Sequence, residues 1–260
     1  MAIITLTSDL GTTDYYLAAV KGAILSQNQD VQIIDLSHDI PKYDLIKTAF
    51  IVSNAWKHFP KGTIHIIGVE SLESEDAALV AISAGGHYFV GADNGVFSLI
   101  LNVVVDEIVQ LRLGKDAPTP TFPMLDVFVP AACHIARGGT LEVIGRKRET
   151  LRQMLMQSPP IGSGHIKANI IYIDSFGNLI TNLTKEMFEE AGRGERFAIQ
   201  LKSKDVITKI TKNYVDQGPS SLIALFGHSG YLEIALVRGS AAKLLGLKVS
   251  DTIRVEFDAG

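Results

Sequence analysis

Ile3-Ile4-Thr5-Leu6-Thr7-Ser8-Asp9-Leu10-Gly11-Thr12-Thr13-Asp14-Tyr15-Tyr16 is the stretch whose reading decides the fold. A β-branched apolar run stops at Ser8-Asp9, a polar turn with Gly11 follows, and helical spacing begins at Tyr16. Strand, polar turn and helix form the opening of an α/β sheet, where ligands sit outside the carboxyl ends of the strands. Asp9 is therefore expected where a carboxylate meets a ligand. Thr12 or Thr13 is expected to cap the helix, with Asp14 in its first turn. The same residues also suit a plain capping turn. With neither G-x-G-x-x-G nor a P-loop, the segment does not point to a pyrophosphate. A carboxylate here suits hydroxyl groups, such as a ribose diol, or a cationic ligand.

Outward from this stretch the pattern repeats. Leu17, Val20, Lys21 and Ile24 keep helical spacing over 16–25, and Val31-Gln-Ile-Ile-Asp-Leu-Ser37 reads as a second buried strand ending in His38-Asp39. A helix over 44–58 with Ala49, Phe50, Val52 and Trp56 inward, then a third strand over 63–69, complete a strand–helix alternation that predicts a parallel sheet. A hairpin over 78–91 turns at Gly85-Gly86, Asp93-Asn94-Gly95 opens a short helix, and 103–111 reads as another strand. Residues 127–136 read as a helix and 146–155 as a charged linker or helix, with Ser158-Pro159-Pro160 as the domain boundary. From Gly164 short β-rich runs (165–173, 178–183, 197–201, 204–210, 221–226, 231–237 and 252–257) alternate with Gly, Asp and Asn turns, the grammar of a small antiparallel barrel. The expected fold class is α/β: an N-terminal mainly parallel sheet flanked by helices over 1–157, and a C-terminal small antiparallel β-barrel over 163–260.

At 260 residues with 47% apolar content the chain can bury a full core. A net charge of -4 argues against nucleic acid as a partner. The single cysteine, Cys133, fits a reducing compartment. No signal-like segment or apolar run long enough for a bilayer is evident, so a cytoplasmic protein with no membrane partner is expected.

Asp9, His38-Asp39 and Glu70 all fall at strand ends of one sheet edge, and their convergence says more than any one of them. Asp14 and Asp44 either join them or favour helix N-termini. A hard-metal site from His38, Asp39, Asp9 and Glu70 lacks supporting His spacing, so no metal is expected. His65 and His134 read as core histidines, and Cys133 as a small core residue. Ser8 lacks the G-x-S-x-G context of a hydrolase elbow. In the second half, the Ile173-Asp174-Ser175-Phe176-Gly177-Asn178 turn places an aromatic ring beside amide and carboxylate groups. That set suits a planar heterocycle, although Asp, Gly and Asn also make an ordinary β-turn. Gly227-His228-Ser229-Gly230-Tyr231 is a second such turn.

Thr7-Ser-Asp-Leu-Gly-Thr-Thr-Asp14, Asp35-Leu-Ser-His-Asp-Ile-Pro41, Phe59-Pro-Lys-Gly-Thr63, Asp93-Asn-Gly95, Ile173-Asp-Ser-Phe-Gly-Asn178 and Tyr231-Leu-Glu-Ile-Ala235 occur in one order. In these motifs the chain resembles the S-adenosyl-L-methionine hydrolase family, the hydroxide adenosyltransferases related to fluorinase and chlorinase. The resemblance implies a homotrimer, with S-adenosylmethionine bound between one subunit's first domain and a neighbour's barrel. It also implies in-line displacement at the ribose C5′. By position it assigns Asp9 to the ribose hydroxyls, and Asp14 and Tyr43 to the lining of the methionine and ribose part. Phe176 and Asn178, with Tyr214, would contact adenine, and Asp174 the methionine ammonium. His228 and Ser229 fall at the methionine end, and Glu233 and Leu236 at the adenosine. His228 stands where the family has serine.

The departures fall on the family's water-activating Asp, Arg and His. Glu70 takes the aspartate position, Ala77 the arginine position and Pro123 the histidine position. Neither Ala77 nor Pro123 can orient or deprotonate water, which leaves Glu70 as the expected base. Nearby Glu73, Glu75 and Asp76 would oppose a halide if they face the site and otherwise solvate a loop. A neutral thioether leaves, so no cofactor is expected; S-adenosylmethionine is substrate or ligand. The alternatives are an inactive adenosine or S-adenosylmethionine receptor and a halide adenosyltransferase.

Overall fold

A computed structural model describes residues 1–72, 78–113, 120–201 and 206–258. The chain forms two compact units, Met1–Met156 and Gln157–Gly260.

The first unit contains β1 (Ala2–Ser8), α1 (Tyr16–Gln27), β2 (Val31–Ser37), α2 (Leu45–Ala55), β3 (Ile64–Gly68), β4 (Leu79–Ala84), β5 (His87–Ala92), α3 (Val96–Ile100), β6 (Val105–Leu111), α4 (Val129–Ala136), α5 (Leu141–Ile144) and β7 (Gly145–Lys147). Its seven-stranded sheet has the order β2-β1-β3-β5-β4-β6-β7. The four strands β2, β1, β3 and β5 run parallel, and the β4–β5 hairpin reverses direction. The parallel strands therefore deliver their carboxyl ends to one edge, with Asp9, His38 and Glu70 just past three adjacent strands.

Pleating divides the side chains between two cores. Ile4 and Leu6 of β1 are fully buried with Ile66, Val20, Ile24 and Phe128 on one face. On the other, Ile67, Phe89 and Ile82 pack with Trp56, Val52 and Phe97. Each such Ile or Leu is worth ~1.5–3 kcal/mol of burial. That second core also encloses a polar line. Thr5 pairs in register with His65, and the His65 ring meets Thr5 Oγ1 at 2.8 Å and His87 Nδ1 at 3.3 Å. His65 is thus a hydrogen-bonded core histidine, as its apolar strand predicts. His134 is different: it is only half-buried, with Nε2 3.1 Å from the Thr140 carbonyl at the end of α4.

One local expectation is corrected, and two open alternatives are decided. α1 begins from Tyr15 with no side-chain cap and no acid in its first turn, so neither Thr12 nor Thr13 caps it. Asp44 does cap α2, accepting from Lys47 N at 2.8 Å. Residues 148–155 form no helix: Arg148 pairs with the buried Asp93 carboxylate (2.8 Å), Arg152 N donates to the same group (2.9 Å), and Met154 N donates to Ser98 Oγ (2.9 Å). These ties spread the segment along the sheet domain instead of letting it coil.

The second unit contains β8 (Ile161–Gly162), β9 (His165–Ile173), β10 (Leu179–Thr184), α6 (Lys185–Gly192), β11 (Phe197–Gln200), β12 (Val206–Ile207), β13 (Leu222–Phe226), β14 (Tyr231–Leu236), α7 (Ala241–Leu245) and β15 (Thr252–Phe257). The strands are ordered β12-β11-β15-β9-β10-β14-β13, with β8 on β9. Neighbours pair antiparallel throughout. A bridge from Ile210, just beyond β12, to Ala224 in β13 nearly closes the barrel. Its core centres on Ile166, Leu179, Leu183, Leu232, Ile234 and Val255. The expected strand over 204–210 is reduced to Val206–Ile207 and that bridge; Lys204 itself lies outside the described residues.

Candidate functional site

The sheet edge of the first unit opens into a cleft of about 500 Å³. Asp9, Leu10, Tyr43, Gly68, Glu70, Ser71, Leu72, Thr121, Phe122, Pro123 and Met124 line it. Strand ends of β1 and β3 thus supply the two carboxylates anticipated from the sequence.

Asp9 is 8% exposed, and its Oδ2 accepts from the Tyr43 N–H at 3.1 Å. That hydrogen bond fixes the rotation of the carboxylate, which has further lone pairs for ligand hydroxyls. Lys42 Nζ donates to the Asp9 carbonyl. Tyr43 reaches this position with φ +65°, and Glu70 leaves β3 with φ +47°. Two non-glycine residues in the left-handed region on one cleft wall mark stored strain, a recurrent property of functional sites. Asn94 steadies the Glu70 end by donating to the Val69 and Glu70 carbonyls at 3.1 and 3.2 Å.

The facing wall is a π-helical turn, Met124–Phe128, entered from Pro123. It packs against the end of β3 because residue 68 is glycine: a Cβ there would overlap Met124 Sδ and lie 3.1 Å from its Cγ. Tyr16 meets Phe122 edge-on at 5.4 Å and stacks on Tyr15 at 4.3 Å. Asp14 is exposed and is not among the lining residues. Asp39 is exposed too, whereas His38 is buried behind the edge. Among the described residues no group of three or more His, Cys, Asp or Glu is placed to hold a metal ion. Pro123 occupies the cleft wall where the resemblance expects a histidine; Ala77, Glu73, Glu75 and Asp76 lie outside the described residues.

The barrel carries the second group of expected residues. Asp174 Oδ1 accepts from Phe176 N (3.0 Å) and Asn178 N (2.8 Å), and its Oδ2 accepts from Asn178 Nδ2 (2.9 Å). The carboxylate therefore builds the turn that presents Phe176, 76% exposed, beside the buried Asn178. Glu233, central in β14 and 6% exposed, accepts from Tyr214 Oη at 2.5 Å. Burial pushes the Glu233 carboxyl above the usual range and the nearby Asp174 charge adds to this, against the opposing Tyr214 hydrogen bond. Burial and the Glu233 carboxylate push the Tyr214 phenol upward as well. His228 is exposed in the turn before β14, where Ser229 Oγ accepts from Tyr231 N at 3.4 Å. Leu236 ends β14, half-buried, against Gly239.

Thr121, Phe122, Met124 and Gly68 line the cleft without having been singled out as ligand contacts. The Phe-Pro-Met run was visible, but only the fold shows that it faces Asp9. Cys133 is fully buried, and burial raises its thiol pKa, in keeping with a core role. No helix among the described residues is long and apolar enough to cross a membrane.

Comparison with known proteins agrees with this geometry. The chain is 30% identical over 266 residues to an (R)-S-adenosyl-L-methionine hydrolase of Methanocaldococcus jannaschii, covering 98% of this chain and 96% of that protein. It is 29% identical to a hydrolase of the same name from Thermus thermophilus (95% and 97% covered) and 25% identical to a fluorinase of Actinopolyspora mzabensis (97% and 96%). Among solved structures, an uncharacterized conserved protein from Thermotoga maritima superposes with a TM-score of 0.86 at 24% identity, covering 97% of this chain and 99% of that one. A conserved hypothetical protein from Thermus thermophilus gives 0.75 at 27% identity (99% and 100%). The N-terminal domain model of the SAM hydroxide adenosyltransferases matches residues 4–145 and the C-terminal model residues 168–254, so the chain belongs to the SAM hydroxide adenosyltransferase family.

Proposed function

We propose that the protein binds S-adenosyl-L-methionine and hydrolyses it to adenosine and L-methionine. The observation that carries this is the placement of Asp9 and Glu70, from adjacent strand ends, on one cleft in a chain of this family. Relatives of similar length bear the name (R)-S-adenosyl-L-methionine hydrolase, so the R sulfonium epimer is the first substrate to test. Asp9 holds the ribose hydroxyls. Water attacks C5′ in line with the sulfonium: the new O–C5′ bond forms as C5′–S breaks, and the electron pair leaves on sulfur as the neutral thioether of methionine. Glu70 takes the proton that water gives up. No metal or cofactor enters this balance.

Phe176 and Asn178, with Tyr214, receive the adenine, Glu233 and Leu236 flank the adenosine, and Asp174, His228 and Ser229 receive the methionine end. The working form is a homotrimer in the cytoplasm, in which a neighbour's barrel supplies these groups to the Asp9 cleft. A deciding experiment is incubation with S-adenosylmethionine in H₂¹⁸O. Heavy oxygen in the 5′-hydroxyl of adenosine, with none in methionine, is expected; lack of any adenosine under saturating substrate overturns the hydrolase reading.

One observation favours a second reading. Pro123 stands on the cleft wall where the resemblance expects a histidine, so an essential proton carrier is missing from that position. A receptor for adenosine or S-adenosylmethionine would then bind without turnover, and its affinity would be indifferent to Glu70→Gln. Halide transfer has less support. The described cleft lining contains two carboxylates and no Lys, Arg or His, a poor setting for an anion.

A further inference from the structure

The turn that carries Asp9 is fastened by the loop leaving β2. Gly11 N donates to the His38 carbonyl at 3.1 Å, Tyr43 N donates to Asp9 Oδ2, and Lys42 Nζ donates to the Asp9 carbonyl. A side-chain contact completes the set: Ser8 Oγ lies 2.7 Å from His38 Nδ1, with Ser8 fully buried and His38 6% exposed. Ser8 Oγ also accepts weakly from Leu10 N at 3.4 Å, across the peptide units of Asp9. The other ring nitrogen, Nε2, is 3.2 Å from Asp35 Oδ1 in poor hydrogen-bond alignment, and Asp35 Oδ2 accepts from Lys21 at 2.6 Å.

Serine, histidine and aspartate in a row suggest a nucleophile relay, but the geometry excludes one. Ser8 has no accessible surface and does not line the cleft, so no substrate carbon can approach its oxygen. The self-consistent assignment has Ser8 donating to Nδ1, which leaves the ring proton on Nε2 facing Asp35.

The backbone is adjusted to make this pairing. Leu6 of β1 lies opposite Asp35, but Thr7 lies opposite Ser37, so β2 carries one extra residue immediately before the site. Such a bulge re-aims the residues that follow it. In regular register Ser37 would face Ser8; the shift brings His38 there.

We propose that Ser8 and His38 are positioning residues for Asp9: their hydrogen bond, brought into register by the bulge in β2, sets the pose in which the Asp9 carboxylate grips a nucleoside ribose. This rests on the reading of Asp9 as the ribose-holding group. Ribose hydroxyls are held alike in the ground and transition states, so losing the pose raises KM and leaves kcat nearly unchanged.

The test is calorimetric binding of adenosine and of 2′,3′-dideoxyadenosine to wild type, His38→Phe, His38→Asn, Ser8→Ala and the Ser8→Ala/His38→Phe double variant. Wild type should prefer adenosine. His38→Phe and Ser8→Ala should each weaken adenosine about tenfold, the size of one lost neutral hydrogen bond. The double variant should be no worse than either single one, and binding of the dideoxy compound should not move. His38→Asn, whose amide reaches the Nδ1 position, should restore most of the affinity. Adenosine preference retained in Ser8→Ala overturns the proposal, and if His38→Phe does not fold, Ser8→Ala and His38→Asn decide it. Equal wild-type affinity for the two nucleosides instead refutes the role of Asp9 itself.

Discussion

Gly177→Ala should destabilise the barrel unit by more than its backbone angle alone explains. Gly177 has φ +84°, where an L side chain costs ~1–2 kcal/mol. Its added Cβ would also overlap Ser240 Oγ and sit 2.7 Å from Ser240 Cβ. Ser240 caps α7, accepting from Lys243 N at 3.2 Å, and Ala242 N donates to the Gly177 carbonyl at 2.9 Å. The new methyl group must therefore displace the cap, worth ~0.5–2 kcal/mol. The sum is about 1.5–4 kcal/mol, or on the order of 10 °C in the melting of a unit this size. Gly194→Ala is the control: φ is +81° and nothing lies within 4 Å of its Cβ, so it should lose only the ~1–2 kcal/mol of backbone strain. Adding Ser240→Gly to Gly177→Ala removes both overlapping atoms at little capping cost and should restore the Gly194→Ala value. Thermal melts followed by circular dichroism measure all three. Equal losses in Gly177→Ala and Gly194→Ala would refute the steric reasoning.

Glu70→Gln should lower the rate of adenosine release by about 10²–10⁴-fold while nucleoside affinity holds, as read by chromatography and calorimetry. Tyr214→Phe removes the donor to a Glu233 carboxylate that is 6% exposed, at a cost of ~1–3 kcal/mol. Because burial already raises that carboxyl, protonation relieves the loss, so denaturant titrations should show a larger deficit at pH 7 than at pH 4. His65 is held at a pKa of about 3 by burial and the His87 ring. Its folded pKa lies below the unfolded value near 6.5. The stability from keeping the ring neutral is therefore complete above ~6.5 and fades as pH falls towards 3. In the wild-type minus His65→Leu difference, this should appear as a slope of up to ~1.4 kcal/mol per pH unit across that window.

Most of the fold was legible because its signals are local. The period-two face of Ile4 and Leu6, the strand-end Ser8-Asp9 and the Gly85-Gly86 hairpin each require only neighbours in the chain. The misses are where distant contacts decide. The sequence does not choose between linker and helix for the charged segment 148–155, because the choice is made by Asp93, far away in sequence, which takes Arg148 and the Arg152 N–H. In the barrel, α6 carries readable signals outside the expected set of strands: Thr184 accepts from Met187 N as an N-cap, and Phe188 turns inward against Phe197 and Phe257. The absent cap at Thr12 or Thr13 has the opposite origin. The β2 exit loop fastens the turn at 8–11, and α1 starts only after it, at Tyr16, with Tyr15 in the cap position.

The site was legible in its carboxylates and not in the backbone that aims them. No residue preference announces Tyr43 at φ +65°, since tyrosine avoids that region. The conformation is imposed by its surroundings: Tyr43 N is drawn to the Asp9 carboxylate, and Leu45 N donates to the Tyr43 carbonyl at 3.1 Å. This makes a prediction of unusual sign. At most positions glycine is less stable than alanine, because it loses more freedom on folding. At position 43 alanine retains the ~1–2 kcal/mol left-handed penalty, whereas glycine escapes it for ~0.4–1 kcal/mol of chain entropy. The tyrosine side chain is 68% exposed, so little burial is lost with either replacement. Tyr43→Gly should therefore be more stable than Tyr43→Ala by about 0.5–1 kcal/mol in denaturant titration. If alanine is the more stable, residue 43 bears no strain, and the β2 exit loop does not hold Asp9 against an opposing backbone preference.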